Sequence, residues 1–136
     1  MFDSLKFDHV GIRVTDLAKA EAFYAKLGFV MDPAEDQPQF RARGLVNGTG
    51  LRIHLIYNGE KPEADGNVLM DVKEKWPGYT HAAFIIDDMD GLVGWLGEQD
   101  IRITEGPVVY GHGRRKVCFI RDPDLNVLEF NEILED

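Results

Sequence analysis

The chain has 136 residues, 44% of them hydrophobic, and a formal charge of -9. Such a length holds one compact unit, or two small modules sharing a core, and leaves enough apolar content to bury one. The acidic balance excludes nonspecific binding to nucleic acid or an anionic membrane, no apolar run approaches the ~20 residues of a membrane span, and no N-terminal stretch has the parts of a signal peptide.

From Leu5 to Val14 the residues alternate as in a strand. Leu5, Phe7, His9, Gly11 and Arg13 share one face; Lys6, Asp8, Val10, Ile12 and Val14 share the other. Asp16 is placed to cap a helix. Leu17, Ala20, Tyr24 and Leu27 then recur at helical spacing, and Gly28 marks the end. Phe29-Val30-Met31 reads as a short strand ended by Asp32-Pro33, and Gln39 to Asn47 as the next. Asn47-Gly48-Thr49-Gly50 is a hairpin signal. Leu51 to Asn58 follows as a strand with Ile53 and Leu55 on one face and His54 on the other.

Residues 59–79 are polar and punctuated by Gly59, Pro62, Gly66, Pro77 and Gly78, which predicts a connection; Met70 and Trp76 suggest that parts of it pack down. The order then repeats. His81 to Ile86 is a strand, Asp88 a cap, and Met89, Leu92, Val93 and Leu96 a helical stripe. Ile101 to Thr104 is a short strand broken by Gly106-Pro107. Val108 to Tyr110 and Lys116 to Arg121 flank a glycine-rich loop, and Asn126 to Ile133 is the last strand after the turn Asp122-Pro123-Asp124. Cys118, the one cysteine, lies in an apolar strand and reads as a buried structural thiol. With no disulfide possible, a reducing cytoplasmic setting fits.

At an offset of 72, His9 falls on His81, Gly11 on Ala83, Asp16 on Asp88, Leu17 on Met89 and Tyr24 on Leu96. The chain is therefore predicted as an α+β protein of two βαβββ modules, residues 1–58 and 80–136 joined by 59–79. Together they would form an eight-stranded, mainly antiparallel cup with helices outside. His9 and His81 open the first strand of each module; His54 and Glu129 lie in the last. Taken singly, each is a satisfied or solvent-facing strand residue. Taken together, three imidazoles and a carboxylate at corresponding places suit a divalent metal such as Zn, Ni, Co, Mn or Fe, with room left for substrate.

Several segments resemble the vicinal oxygen chelate superfamily, which includes glyoxalase I, the bleomycin and fosfomycin resistance proteins, methylmalonyl-CoA epimerase and the extradiol dioxygenases. They are Phe7-Asp8-His9-Val10-Gly11-Ile12, Thr15-Asp16-Leu17, Phe23-Tyr24 before Leu27-Gly28-Phe29, and Phe119-Ile120-Arg121-Asp122-Pro123-Asp124 before Leu128-Glu129-Phe130. The resemblance covers nearly the whole chain and implies His9, His54, His81 and Glu129 as metal ligands. It is nearest to short glyoxalase I-like proteins. That implies an enzyme isomerising or lysing a small anionic substrate through a metal-stabilised enediolate, with Glu129 either a ligand throughout or leaving the metal to move a proton. An Fe(II) extradiol-type dioxygenase and a non-catalytic antibiotic-binding protein are the alternatives. The likeness also implies that Arg13 and Asn58 hold a substrate carboxylate, against an ordinary surface ion pair for Arg13. His54 departs from glyoxalase I, which has a glutamate or glutamine there. Leu125 departs too, where Gly is usual. Arg114 and Arg115, beside Gly111-His112-Gly113, read either as a lid contacting an anionic substrate or as a solvated hairpin; His112 falls outside the repeat. Family members of this size pair as homodimers, so a homodimer is expected.

Overall fold

The computed structural model describes residues 2–134, and the chain divides into two compact units, Met1–Lys61 and Pro62–Asp136. In the first, β1 (Val10–Arg13) leads into α1 (Leu17–Lys26), followed by β2 (Val30–Gln37), a 3-10 turn at Pro38–Phe40, β3 (Ala42–Val46) and β4 (Arg52–Ile56). The second repeats the order with β5 (His81–Ile85), α2 (Met89–Glu98), β6 (Ile103–Tyr110), β7 (Arg115–Arg121) and β8 (Val127–Ile133). Among the described residues these make two four-stranded mixed sheets, ordered β1-β4-β3-β2 and β5-β8-β7-β6. The first and fourth strands of each module pair in parallel, and the rest antiparallel. The α+β reading and the βαβββ repeat are therefore realised.

Both helices start where a carboxylate offers itself to the free N–H groups of a first turn. Asp16 Oδ1 accepts from Lys19 N, and Asp88 Oδ1 from Gly91 N, each at 3.0 Å. Each helix buries one stripe: Ala20 and Tyr24 in the first unit; Met89, Leu92 and Leu96 in the second. The sheet faces beneath contribute Ile12, Val14, Leu45, Ile53 and Leu55 to one core, and Cys118, Ile120, Leu128 and Phe130 to the other. Alternation along the strands then leaves His54, and likewise Glu129, on the opposite face. The Asn47 turn forms as expected: its Oδ1 accepts from Thr49 N and Leu51 N. No helix among the described residues is long and apolar enough to cross a membrane.

Two expectations need correction. Pro33 does not end a strand: β2 runs from Val30 to Gln37, with a register shift between Met31 and Asp36. Nor does Gly106-Pro107 break β6, which has its own shifts on either side of Glu105. Both are outer strands of their sheets, where a proline's missing N–H costs no ladder bond, and both carry the proline at an irregularity. Gly106 is required there. It has φ +85°, and a Cβ would stand 2.4 Å from Val117 O.

The connection is anchored, though not where its large side chains suggested. Trp76 is 62% exposed and Met70 is exposed as well. The tie is polar. Asp71 receives both ends of the Arg121 guanidinium, Oδ2 from Nη1 at 2.7 Å and Oδ1 from Nη2 at 2.9 Å. Asn67 N donates to Asp71 Oδ2 at 2.6 Å, and Asn67 Nδ2 and Arg121 Nη1 both donate to Leu125 O. The Arg121 ion pair holds the Asp71 carboxyl down to about 2. Buried Asp122 knits the adjoining turn, accepting from Asp124 N, Asn126 N and Asn126 Nδ2. Leu125 takes φ +67° within that turn.

Candidate metal and substrate site

Each unit brings two of the four expected ligands together, by the same construction. In the first, Gly11 of β1 is the direct partner of His54 on β4. His9, two residues earlier in the chain, therefore lies diagonally beside His54. The two rings stack, with centroids 3.6 Å apart and planes 11° from parallel. In the second, Ala83 of β5 is the partner of Glu129 on β8. His81 is again two residues earlier, and its Nε2 stands 3.2 Å from Glu129 Oε1. The residues paired with the two fourth-strand donors, Gly11 and Ala83, are both small.

His9, His81 and Glu129 each have a neighbour that the pattern of histidines alone did not single out. Asp8 Oδ2 lies 2.6 Å from His9 Nδ1, and Thr80 Oγ1 lies 2.8 Å from His81 Nδ1. Asn131 Nδ2 donates to Glu129 Oε2. Asp8 and Thr80 were legible in principle, since the 72-residue offset places one on the other. The His9 contact lowers the Asp8 carboxyl below the usual range. Burial, then the neighbouring His9, lowers the His54 imidazole.

The two faces differ on their third strand. Opposite Glu129 stands Phe119, whose ring meets His81 edge to face at 6.0 Å. Opposite His54 stands Gly44. Glu35, from the irregular part of β2, occupies the space that Gly44 leaves: a Cβ on Gly44 would lie 2.5 Å from Glu35 Cβ. The first unit thus has a half-buried carboxylate on its histidine face, close enough for its charge to favour the protonated His54. No strand pattern could show it, because the bulge in β2 resets which residues point where.

The remaining expected residues fall in two places. Arg13 Nε donates to Asn58 Oδ1 at 3.1 Å, so that pair comes together at the end of the first sheet. Arg114 and Arg115 are exposed at the turn between β6 and β7, where Arg114 N closes the hairpin on Tyr110 O and Gly111 O. Arg115 lies four residues along β7 from Phe119, about 13 Å at ~3.3 Å per residue.

Imidazole and carboxylate donors suit a divalent transition ion, and a ligating histidine ordinarily has its other ring nitrogen held by a partner, as Nδ1 is in both units. The residues therefore fit such an ion by type and by support. Within each unit the expected ligands come in twos; among the described residues no group of three or more His, Cys, Asp or Glu is gathered to hold a metal. Cys118 takes no part, being fully buried with its thiol pushed up by that burial.

Comparison with known proteins places the fold in a family. A lactoylglutathione lyase from Schizosaccharomyces pombe is 22% identical over 89% of this chain. The chain spans only 43% of that protein's length. A glyoxalase/dioxygenase from Nostoc punctiforme superposes with a TM-score of 0.78 at 21% identity, covering 98% of this chain and 94% of its own. A glyoxalase family protein from Enterococcus faecalis does so with 0.70 at 26% identity, covering 97% of this chain and 100% of its own. The family model for the Glyoxalase/Bleomycin resistance protein/Dioxygenase superfamily matches residues 6–130, nearly the whole chain, and the protein belongs to that superfamily.

Proposed function

We propose that the protein is a divalent-metal-dependent enzyme of the glyoxalase type, acting on a small anionic substrate with neighbouring oxygens in an isomerase or lyase reaction. The observation that carries this is the repeated register: a histidine entering the first strand of each unit lies diagonally beside a metal-capable donor on the fourth. In this reading His9, His54, His81 and Glu129 would serve as metal ligands. A divalent ion supplies Lewis acidity toward a substrate carbonyl. The chain's residues do the rest. Glu129 is the single carboxylate of the set and accepts a substrate proton at its carboxylate oxygens; Asn131 holds it in place. Arg13, steadied by Asn58, offers its planar fork to a substrate carboxylate. Arg114 and Arg115 contribute positive charge at an exposed hairpin that would meet an anionic substrate. The protein works as a homodimer in the cytoplasm.

The test is metal analysis of the purified protein, with titration of Zn, Ni, Co and Mn into wild type and His9→Ala, and turnover of the methylglyoxal–glutathione hemithioacetal. Bound metal, at least 10-fold weaker binding in the variant, and metal-dependent turnover are expected. No divalent metal bound, or identical affinity in His9→Ala, overturns the proposal. Iron with oxygen-dependent cleavage of catechols replaces it with a dioxygenase.

A further inference from the structure

The two units fill corresponding rows of their sheets differently. In the second, the row runs Ala83, Glu129, Phe119 and Glu105 across β5, β8, β7 and β6. Phe119 stands beside the donor Glu129, and Glu105 beyond it is exposed and accepts from the Tyr110 hydroxyl at 3.4 Å. In the first, the row runs Gly11, His54 and Gly44 across β1, β4 and β3. Asp36 of β2 pairs with Arg43, which places Glu35 against Gly44. Asp36 turns to the helix side, where Arg43 joins it to Glu21 of α1. Glu35, its neighbour along the strand, turns to the histidine side. A Cβ on Gly44 would lie 2.5 Å from Glu35 Cβ, so Glu35 takes the cross-strand place beside His54, where opposed Cβ atoms lie ~5 Å apart.

The acids around Glu35 are engaged: Asp32 holds Arg52, while Asp36 and Glu21 hold Arg43. The half-buried Glu35 carboxylate makes no hydrogen bond or ion pair among the described residues. Removing a charge from water without a partner costs stability, and β3 carries no side chain at Gly44 to make room for it. We propose that Glu35 is a further metal ligand, supplied by β2 to the ion that His9 and His54 serve. The inference rests on the metal site proposed above. It gives the first unit two imidazoles and a carboxylate, a set suited to a divalent transition ion. Imidazole ligates as a neutral ring, so His9 and His54 bring the ion no charge, and Glu35 brings one. The three are not gathered in the structure. Glu35 Cβ is already in place, so the carboxylate closes on the ion by rotation about its own side-chain bonds. Phe119 keeps Glu105 from the corresponding place in the second unit.

Calorimetric titration of Zn2+ into the metal-free full chain tests this with wild type, Glu35→Gln and Glu105→Gln. Both variants remove one negative charge and keep the shape of the side chain. Glu35→Gln should bind Zn2+ more weakly by at least about 10-fold, a loss that even the outer partners of a metal produce. Glu105→Gln should match wild type. Gly44→Ala keeps every donor and crowds Glu35 out of its place, so it should weaken Zn2+ binding as Glu35→Gln does. Co2+ alone reads the ligand directly: its visible absorption spectrum should change in Glu35→Gln and match wild type in Glu105→Gln. Equal Zn2+ affinity in Glu35→Gln and wild type, or an equal loss in Glu105→Gln, overturns the inference and leaves the metal reading intact. An unchanged Co2+ spectrum in Glu35→Gln does the same. No Zn2+ binding by the wild type overturns both.

Discussion

The ion pair between Asp71 and Arg121 is what fastens the segment entering the second unit, and Asp71→Asn measures it. The substitution keeps the shape and an acceptor for Asn67 N, and removes the charge. The displacement of the carboxyl from 3.8 to about 2 is worth ~2.4 kcal/mol at ~1.36 kcal/mol per pH unit. The Arg121 and Asp71 side chains keep 22% and 32% of their surface in water, so screening reduces this to about 1–1.5 kcal/mol. A carboxyl lowered by folding contributes stability that is whole above 3.8 and lost as pH falls to about 2. Both tryptophans, Trp76 and Trp95, lie in the second unit, so urea unfolding followed by tryptophan fluorescence reports that unit alone. At neutral pH the midpoint of the variant should fall by about 1 M, for a slope of ~1 kcal/mol per molar expected of so small a unit. As pH drops from about 5 to about 2 the wild type should lose the advantage and the two curves should converge. Equal midpoints at neutral pH, or a gap that persists unchanged to pH 2, would refute the assignment.

Two further outcomes follow from the backbone and the core. Leu125 holds φ +67° and is 40% exposed, so Leu125→Gly removes a left-handed strain of ~1–2 kcal/mol and adds ~0.5–1 kcal/mol of chain entropy. The midpoint in the same assay should rise by about 0.5 kcal/mol equivalent, and a fall contradicts the strain argument. Cys118 is fully buried with its thiol pushed up, so a thiol reagent should leave the native protein unmodified and label one site per chain in urea. Stoichiometric labelling of the native protein would show that the strand opens readily.

The repeat was readable from the sequence because it lives in spacing. The helix caps Asp16 and Asp88, the Asn47 turn, and the alternation that puts Ile53 and Leu55 on one face and His54 on the other all follow from local rules that the fold does not override. What stayed hidden depends on a strand's neighbours. Pro33 and Pro107 look like stops until one knows that β2 and β6 have a partner on one side only. Glu35 could not be placed on the His54 face, since the shift in β2 changes the phase of the alternation. Arg121 and Asp71 are fifty positions apart, and no periodicity links them. The left-handed conformation of Leu125 had no local signal, since leucine does not favour it.

The prolines in β2 and β6 reach beyond local structure. Each sheet has two margins, and on one of them a strand carries a proline and a shifted register, which deny a newcomer a continuous row of N–H and C=O groups. The opposite margin, β1 or β5, is short and uninterrupted. A sheet that can be extended from only one side cannot propagate: a single strand added there ends the series. Open-ended stacking, which needs both margins free, is thereby denied to each module taken alone.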